Sequence, residues 1–290
     1  MRFHLASAEV FVPDGLPEDE ALARTTHLCV GAHQDDIEIM ASAPILECFQ
    51  QSDKWFTGVV VTDGRGSPRD ELYKDYSDDA MRLVRFREQR KAAVVGEYAA
   101  QVMLDYPSKT VKDAARPEPQ EDLVRVLQAT RPRVVYTHNP ADKHDTHVAV
   151  CLRVIQAIRS LAPAERPARL IGCEIWRALD WMADADKVVM DISSHPNLQA
   201  ALLGVFDSQI AGGKRYDAAT LGRRAANATF FESHAVDQAA GLTFGMDLTP
   251  LIADPSLRVT ELVQRTIEHF GQDVLSRIER VNTPARAPAE

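Results

Sequence analysis

Two short clusters concentrate groups able to hold a cation and move protons. Gly31-Ala32-His33-Gln34-Asp35-Asp36 places one imidazole beside two adjacent carboxylates. The run His138-Asn139-Pro140-Ala141-Asp142-Lys143-His144-Asp145-Thr146-His147 holds three of the chain's nine histidines. His144 and His147 are spaced to share one side of a turn. Each cluster follows a short, largely apolar run, residues 27–30 and 133–137, too brief for a helix. Each is followed by apolar residues at helical spacing: Ile37, Met40, Ala41 and Ile45 after the first, Val148, Cys151, Leu152 and Ile155 after the second. Strand-to-helix turns at the carboxyl ends of an open sheet are where α/β proteins gather ligands. Imidazole nitrogen and carboxylate oxygen suit zinc, whose catalytic sites take three protein ligands and a water. A metal site is the first reading.

The elements that must position these clusters alternate along the chain. Strands are expected at residues 55–62, 101–106, 170–176 and 187–191, besides the two that precede the clusters. Helices are expected at 37–49, 79–96, 120–130, 148–161, 196–210 (with Ser194 or Asn197 near its start) and 257–281. Such alternation implies an α/β fold, a Rossmann-like three-layer sandwich with a mostly parallel sheet. Residues 63–78 form a long polar stretch after a strand end, where it could shape a substrate cleft. Residues 1–281 are expected to make a single domain, and residues 282–290 a disordered tail.

Composition narrows the class. A chain of 290 residues with 45% hydrophobic content can bury a sizeable core. Its net charge of -9 argues against a nucleic-acid backbone as the main partner. No run of apolar residues is long enough for a membrane span, and the first ten residues lack the apolar core of a secretory signal. The four cysteines, Cys29, Cys48, Cys151 and Cys173, fall in apolar runs without metal-ligand spacing, which favours buried free thiols and a cytoplasmic location.

The two clusters together resemble the PIG-L type (LmbE-like) zinc-dependent N-acetylglucosaminyl deacetylases. That family carries Ala-His-Pro-Asp-Asp near its start and a later Thr-His-x-Pro-x-Asp-x-His-Pro-Asp-His. Here Ala32 to Asp36 match the first, with Gln34 for proline, and Thr137 to His147 match the second, with Asp145-Thr146 for Pro-Asp. Val61 to Gly64, Arg85 to Glu88, Asp191 to Ser193 and Asp207 to Gln209 extend the likeness over most of residues 25–230. The resemblance implies Zn2+, or another divalent transition metal, held by His33, Asp36 and His147. It implies Asp35 as general base toward a zinc-activated water, and His144 as oxyanion stabiliser or acid to the leaving amine. Asp63 and Arg85 become candidate contacts to the sugar, against plain readings as a turn-forming residue and an ion pair with Glu88. His138 is expected to support its turn, and His195 and His234 to lie at the surface. The tuning of His144 is altered where Thr146 replaces the usual aspartate.

The implied activity is removal of an N-acetyl group from an N-acetylglucosamine-type sugar or its conjugate, with a small-molecule N-acetylated sugar as partner and homo-oligomerisation left open. One alternative keeps the metal and cleaves a different N-acyl or non-sugar amide. Another is a non-catalytic nucleotide-binding or interaction protein. The second lacks a Gly-x-Gly-x-x-Gly turn after the first cluster's strand, where Gly31-Ala32-His33 stands instead.

Overall fold

The computed structural model describes residues 1–283; the expected tail at 282–290 lies almost wholly outside them. The first half of the chain contributes β1 (Glu9–Phe11), α1 (Glu18–Ala23), β2 (His27–Gly31), α2 (Asp36–Met40), α3 (Ser42–Cys48), β3 (Phe56–Thr62) and α4 (Asp78–Val95). Next come β4 (Ala100–Tyr106), α5 (Ser108–Lys112), α6 (Glu118–Thr130), β5 (Val134–His138) and α7 (Asp145–Ser160). The remainder holds β6 (Arg169–Cys173), β7 (Lys187–Asp191), α8 (Pro196–Gly204), α9 (Asp207–Ile210) and α10 (Tyr216–Phe230). It ends with β8 (Leu242–Asp247), α11 (Thr249–Ala253) and α12 (Val259–Asn282).

The strands form one sheet in the order β1-β4-β3-β2-β5-β6-β8-β7. The five strands from β4 to β6 run parallel, while β1, β8 and β7 pair antiparallel at the two flanks. Parallel strands covered on both faces read as continuous apolar runs, and β2 and β3 are buried throughout. Their alternate side chains feed two cores. Leu28, Val30, Val59 and Val61 join one layer with α6 and α7, and Cys29, Val60 and Met103 join the other with α2, α3 and α8. All four cysteines are buried and unpaired. No described helix is long and apolar enough to cross a membrane.

Strand order reverses beside β2: the chain moves from it to β3 and β4 on one side, then to β5 and β6 on the other. Both clusters sit at carboxyl ends there, after Gly31 and after His138.

Two expected helices are each broken in two. Residues 37–49 are interrupted at Ala41, because the Pro44 ring cannot sit over the carbonyl of Met40 in a continuous helix. Residues 196–210 break at Val205 and Phe206, where Phe206 leaves helical geometry with ψ 56 and buries its ring. That helix starts after His195 in a left-handed conformation and has no side-chain cap, so neither Ser194 nor Asn197 does that work. The strand expected at 170–176 stops at Cys173, and the stretch 63–78 holds a short 3-10 turn at Glu71–Tyr73. The helix expected from 148 begins at Asp145, which makes His144 its N-cap.

Gly64 opens the long stretch with φ +69, and a Cβ there would collide with the Gln34 side-chain oxygen and lie 3.2 Å from the Arg85 Cβ. Gly64→Ala is expected to lower unfolding stability by about 1–3 kcal/mol in denaturant titration. A change within a few tenths would mean that the turn tolerates a side chain.

Candidate metal centre and active site

The turn from β2 into α2 and the turn from β5 into α7 bring His33, Asp36 and His147 together. Asp36 Oδ2 lies 3.2 Å from His33 Nδ1 and 3.4 Å from His147 Nε2. The two ring nitrogens are 3.3 Å apart. A tetrahedral ion bonded at about 2.0–2.1 Å to nitrogen and oxygen has ligand-to-ligand edges of about 3.3–3.4 Å, so the triangle fits zinc-like coordination. Asp36 is buried; burial works to raise its pKa, yet His147, His33 and His138 together hold the carboxyl well below its usual range. Its Oδ2 also accepts a 2.6 Å hydrogen bond from the His33 amide, which fixes the carboxylate against the turn.

Residues not singled out as ligands or catalysts orient this triangle. His138, fully buried at the end of β5, accepts a 2.8 Å bond from the Ala32 amide and stacks on His147 with ring centres 4.0 Å apart. Burial, then His147, push its pKa down to about 4, so it is a neutral support. Asp142 Oδ1 accepts from the His144 amide at 2.9 Å and lies 3.7 Å from His147 Nδ1. Its Oδ2 accepts from the Trp176 amide at 3.1 Å. One carboxylate thus stands behind His147, beyond hydrogen-bond distance of its Nδ1, while joining the α7 turn to the segment after β6. The cue in the sequence was the aspartate two residues before His144, where an Asx side chain meets a backbone N–H. Carboxylates behind ligating histidines typically carry 10–100-fold of metal affinity. Asp142→Asn should weaken metal binding by that factor in a competition titration with a chelator; unchanged affinity would reduce Asp142 to a turn-former.

Asp35 projects into the same cavity from an unusual backbone, φ 92, where aspartate is tolerated better than most residues. Burial pushes its pKa up to about 7, with Arg85 opposing and Asp36 adding to the rise. Arg85, only 1% exposed on α4, lies 3.4 Å from Asp35 and 3.7 Å from Glu88 and donates to the Gln34 carbonyl. It is no surface ion pair: its Nε and Nη1 are buried without hydrogen-bond partners. Glu88 in turn accepts from the Ser208 amide and hydroxyl, each at 2.7 Å.

His144 lines the same cavity beside the triangle, its ring centre 5.0 Å from that of His33 and 4.5 Å from that of His147. Its Nδ1 accepts from the Thr146 amide at 3.3 Å, which leaves Nε2 to carry the proton of the neutral ring. Burial and then the neighbouring His147 and His33 lower its pKa, in the same sense. Asp63, at the end of β3, lines the cavity but is engaged by Arg65, whose amide donates to it at 3.2 Å. His195 and His234 are exposed.

The cavity measures about 840 Å³. Its far wall comes from Glu174 to Trp176 after β6, read from the sequence only as the end of a strand, and from Tyr216, Thr220, Arg223 and Arg224 on α10, a helix that the sequence did not reveal. Trp176 and Tyr216 meet edge to face at 5.7 Å.

Residues 28–158 match the family model described as PIG-L: GlcNAc-PI de-N-acetylase. No curated protein matches the chain. The fold is similar to that of N,N'-diacetylchitobiose deacetylase from Pyrococcus horikoshii, at 16% identity over 79% of this chain and 86% of that one, with TM-score 0.61. It is also similar to the conserved protein TT1542 from Thermus thermophilus, at 19% identity over 81% of this chain and 100% of that one, with TM-score 0.60. A third similar structure is GalB, the 4-carboxy-2-hydroxymuconate hydratase from Pseudomonas putida, at 16% identity over 77% of this chain and 96% of that one, with TM-score 0.56.

Proposed function

From the PIG-L family domain that the chain carries over residues 28–158, we propose that the protein is a metal-dependent hydrolase removing the N-acetyl group from an N-acetylglucosamine-type sugar or its conjugate. The observation that carries this reading is the triangle of His33, Asp36 and His147 with Asp35 and His144 facing the same cavity. The fold does not decide the reaction, because a hydratase shares it. What favours amide hydrolysis is a carboxylate and an N–H donor, Asp35 and His144, lining one cavity beside the ligand triangle.

His33, Asp36 and His147 would hold Zn2+ or another divalent transition metal, which when bound polarises oxygen and lowers the pKa of water. Asp35 takes the proton of the attacking water as the water oxygen adds to the acetyl carbonyl carbon. Arg85 holds the Asp35 carboxylate in place, and Arg85 and Asp63, which line the cavity, are candidate contacts to substrate. His144 donates a hydrogen bond from Nε2 to the carbonyl oxygen while negative charge grows on it. When the C–N bond breaks, the proton taken by Asp35 passes to the leaving nitrogen, giving acetate and the free amine. Between the two roles open to His144, its neutral tautomer favours oxyanion stabilisation over acid catalysis.

The test is acetate release from a panel of N-acetylated sugars, with and without prior chelation and with metal restored. Chelator-sensitive release supports the reading; release only from non-sugar amides moves it to the alternative amidase. Absence of turnover with stoichiometric metal would overturn it. In an active preparation, His144→Ala should lower kcat about 10²–10³-fold with metal content unchanged. A loss under tenfold would remove His144 from the oxyanion role.

A further inference from the structure

The last helix carries an apolar stripe that the fold leaves uncovered. α12 runs for 24 residues, about 36 Å. Its first turns dock: Val259, Leu262 and Val263 pack against the core, and Thr266 is buried. From Val274 to Asn282 every residue is exposed. Yet Ile267, Val274, Ile278 and Val281, seven, four and three residues apart, fall on one side of the helix, with Leu275 beside them. Leu275 is 61% exposed, Ile278 58% and Val281 80%.

The stripe borders a groove of about 550 Å³. Phe270, Val274 and Ile278 form one bank, and Phe230 and Phe231 at the end of α10, with Phe244 of β8, form the other. Phe230 is itself 81% exposed. A few helical turns without packing are marginal in water. A contiguous apolar strip on a surface marks a contact.

Charge decides what fits there. Asp180 and Asp184 line the groove, and the adjacent Asp186 faces His269 of α12. Lys187, the cation on that side, is taken by Asp184 at 2.7 Å. The projecting turns of α12 are basic by contrast. They carry Arg277, paired within the helix to Asp273 at 3.2 Å, and Arg280, against the single carboxylate Glu279. The arm of one copy therefore complements the groove of another, apolar stripe to phenylalanine bank and arginines to aspartates. A two-fold axis near Val274 and Leu275, with the helices antiparallel, satisfies both contacts at once. The basic end of each arm then lies beside His269 and Asp186 of the other copy. An isologous contact of this kind closes on itself, so association stops at two. An anionic lipid surface, the other usual cover for an amphipathic helix, would meet the same aspartates.

We propose that this face is a homodimer interface, in which α12 of one copy packs antiparallel against α12 and the Phe230 groove of a second. The pairing is independent of the reaction assigned above. A patch of this extent belongs to the small end of stable interfaces, so the dimer is reversible, with a Kd on the order of micromolar.

The experiment is sedimentation equilibrium of the full chain over about 1–100 µM, a range that brackets such a Kd. The parent should show a monomer–dimer equilibrium. Leu275→Asp with Ile278→Asp changes two exposed side chains outside either core and should raise the Kd about tenfold or more. Arg280→Glu should weaken association as well, more at low salt than at high salt. Circular dichroism and thermal melting check that both variants are folded. A parent that stays monomeric throughout, or a dimer unmoved by the folded double variant, overturns the proposal. An unmoved Kd in Arg280→Glu overturns the antiparallel arrangement. A monomeric parent that sediments with phosphatidylserine vesicles gives the stripe to a lipid surface instead, and the proposal falls.

Discussion

Asp35→Asn should lower kcat by roughly two to four orders of magnitude while the protein keeps its metal. Asparagine preserves the size of the side chain and tolerates the positive φ of this position, so the backbone turn that carries Asp36 is not disturbed. It can still accept a hydrogen bond from Arg85, which limits the structural cost of the change. What it loses is the ability to take a proton. Metal analysis beside steady-state kinetics separates the outcomes: normal metal with collapsed kcat assigns Asp35 to proton transfer. Activity near that of the parent would place the base elsewhere, and loss of metal would make Asp35 part of the coordination shell.

His147→Ala should abolish both metal retention and activity. It removes one corner of a triangle whose other corners are 3.2 Å apart, and two groups rarely hold a divalent cation against dialysis. It also takes away the face on which His138 stacks and an imidazole that stands against Asp36. The variant is therefore compared with chelated parent protein rather than with the loaded form. If it matches the chelated parent in melting temperature and lacks metal, the assignment stands. Full metal retention after dialysis would sink it.

Much of this centre was legible because its residues sit where periodicity changes. An apolar strand ends, polar groups crowd the turn, and helical spacing begins, at both Gly31 to Asp36 and His138 to His147. The buried strands were equally plain, being short runs of Val and Leu between breaks. What escaped notice has a common cause. α10 presents Tyr216, Thr220, Arg223 and Arg224 to a cavity, so the side it turns inward there is largely polar and never reads as an apolar stripe. β8 pairs antiparallel between β6 and β7 and includes Gly245, whose missing side chain makes room for Ile171. Asp142 showed locally only as a turn-former before His144; its bond to the Trp176 amide comes from 34 residues further along the chain, which no local spacing discloses. For Arg85 a contact to the sugar and an ion pair with Glu88 stayed equally open, because its burial depends on the packing of α4 over the turn, which no local spacing discloses.

The division between α2 and α3 at Ala41 bears on how such an enzyme could change its substrate. The ligand triangle, Asp35 and His144 all lie within residues 28–158, while the facing wall is built by residues after 170. In principle the later part could be exchanged to recast selectivity while the reactive half is inherited intact. The interrupted helix limits that freedom. Carbonyls at Glu38 and Ile39, released from regular helical bonding beside the break, are taken up by Arg224 of the wall. A transplanted wall must therefore bring its own guanidinium, or another donor reaching the same two oxygens. Without it, the graft would exchange one specificity for a loosened metal-bearing turn.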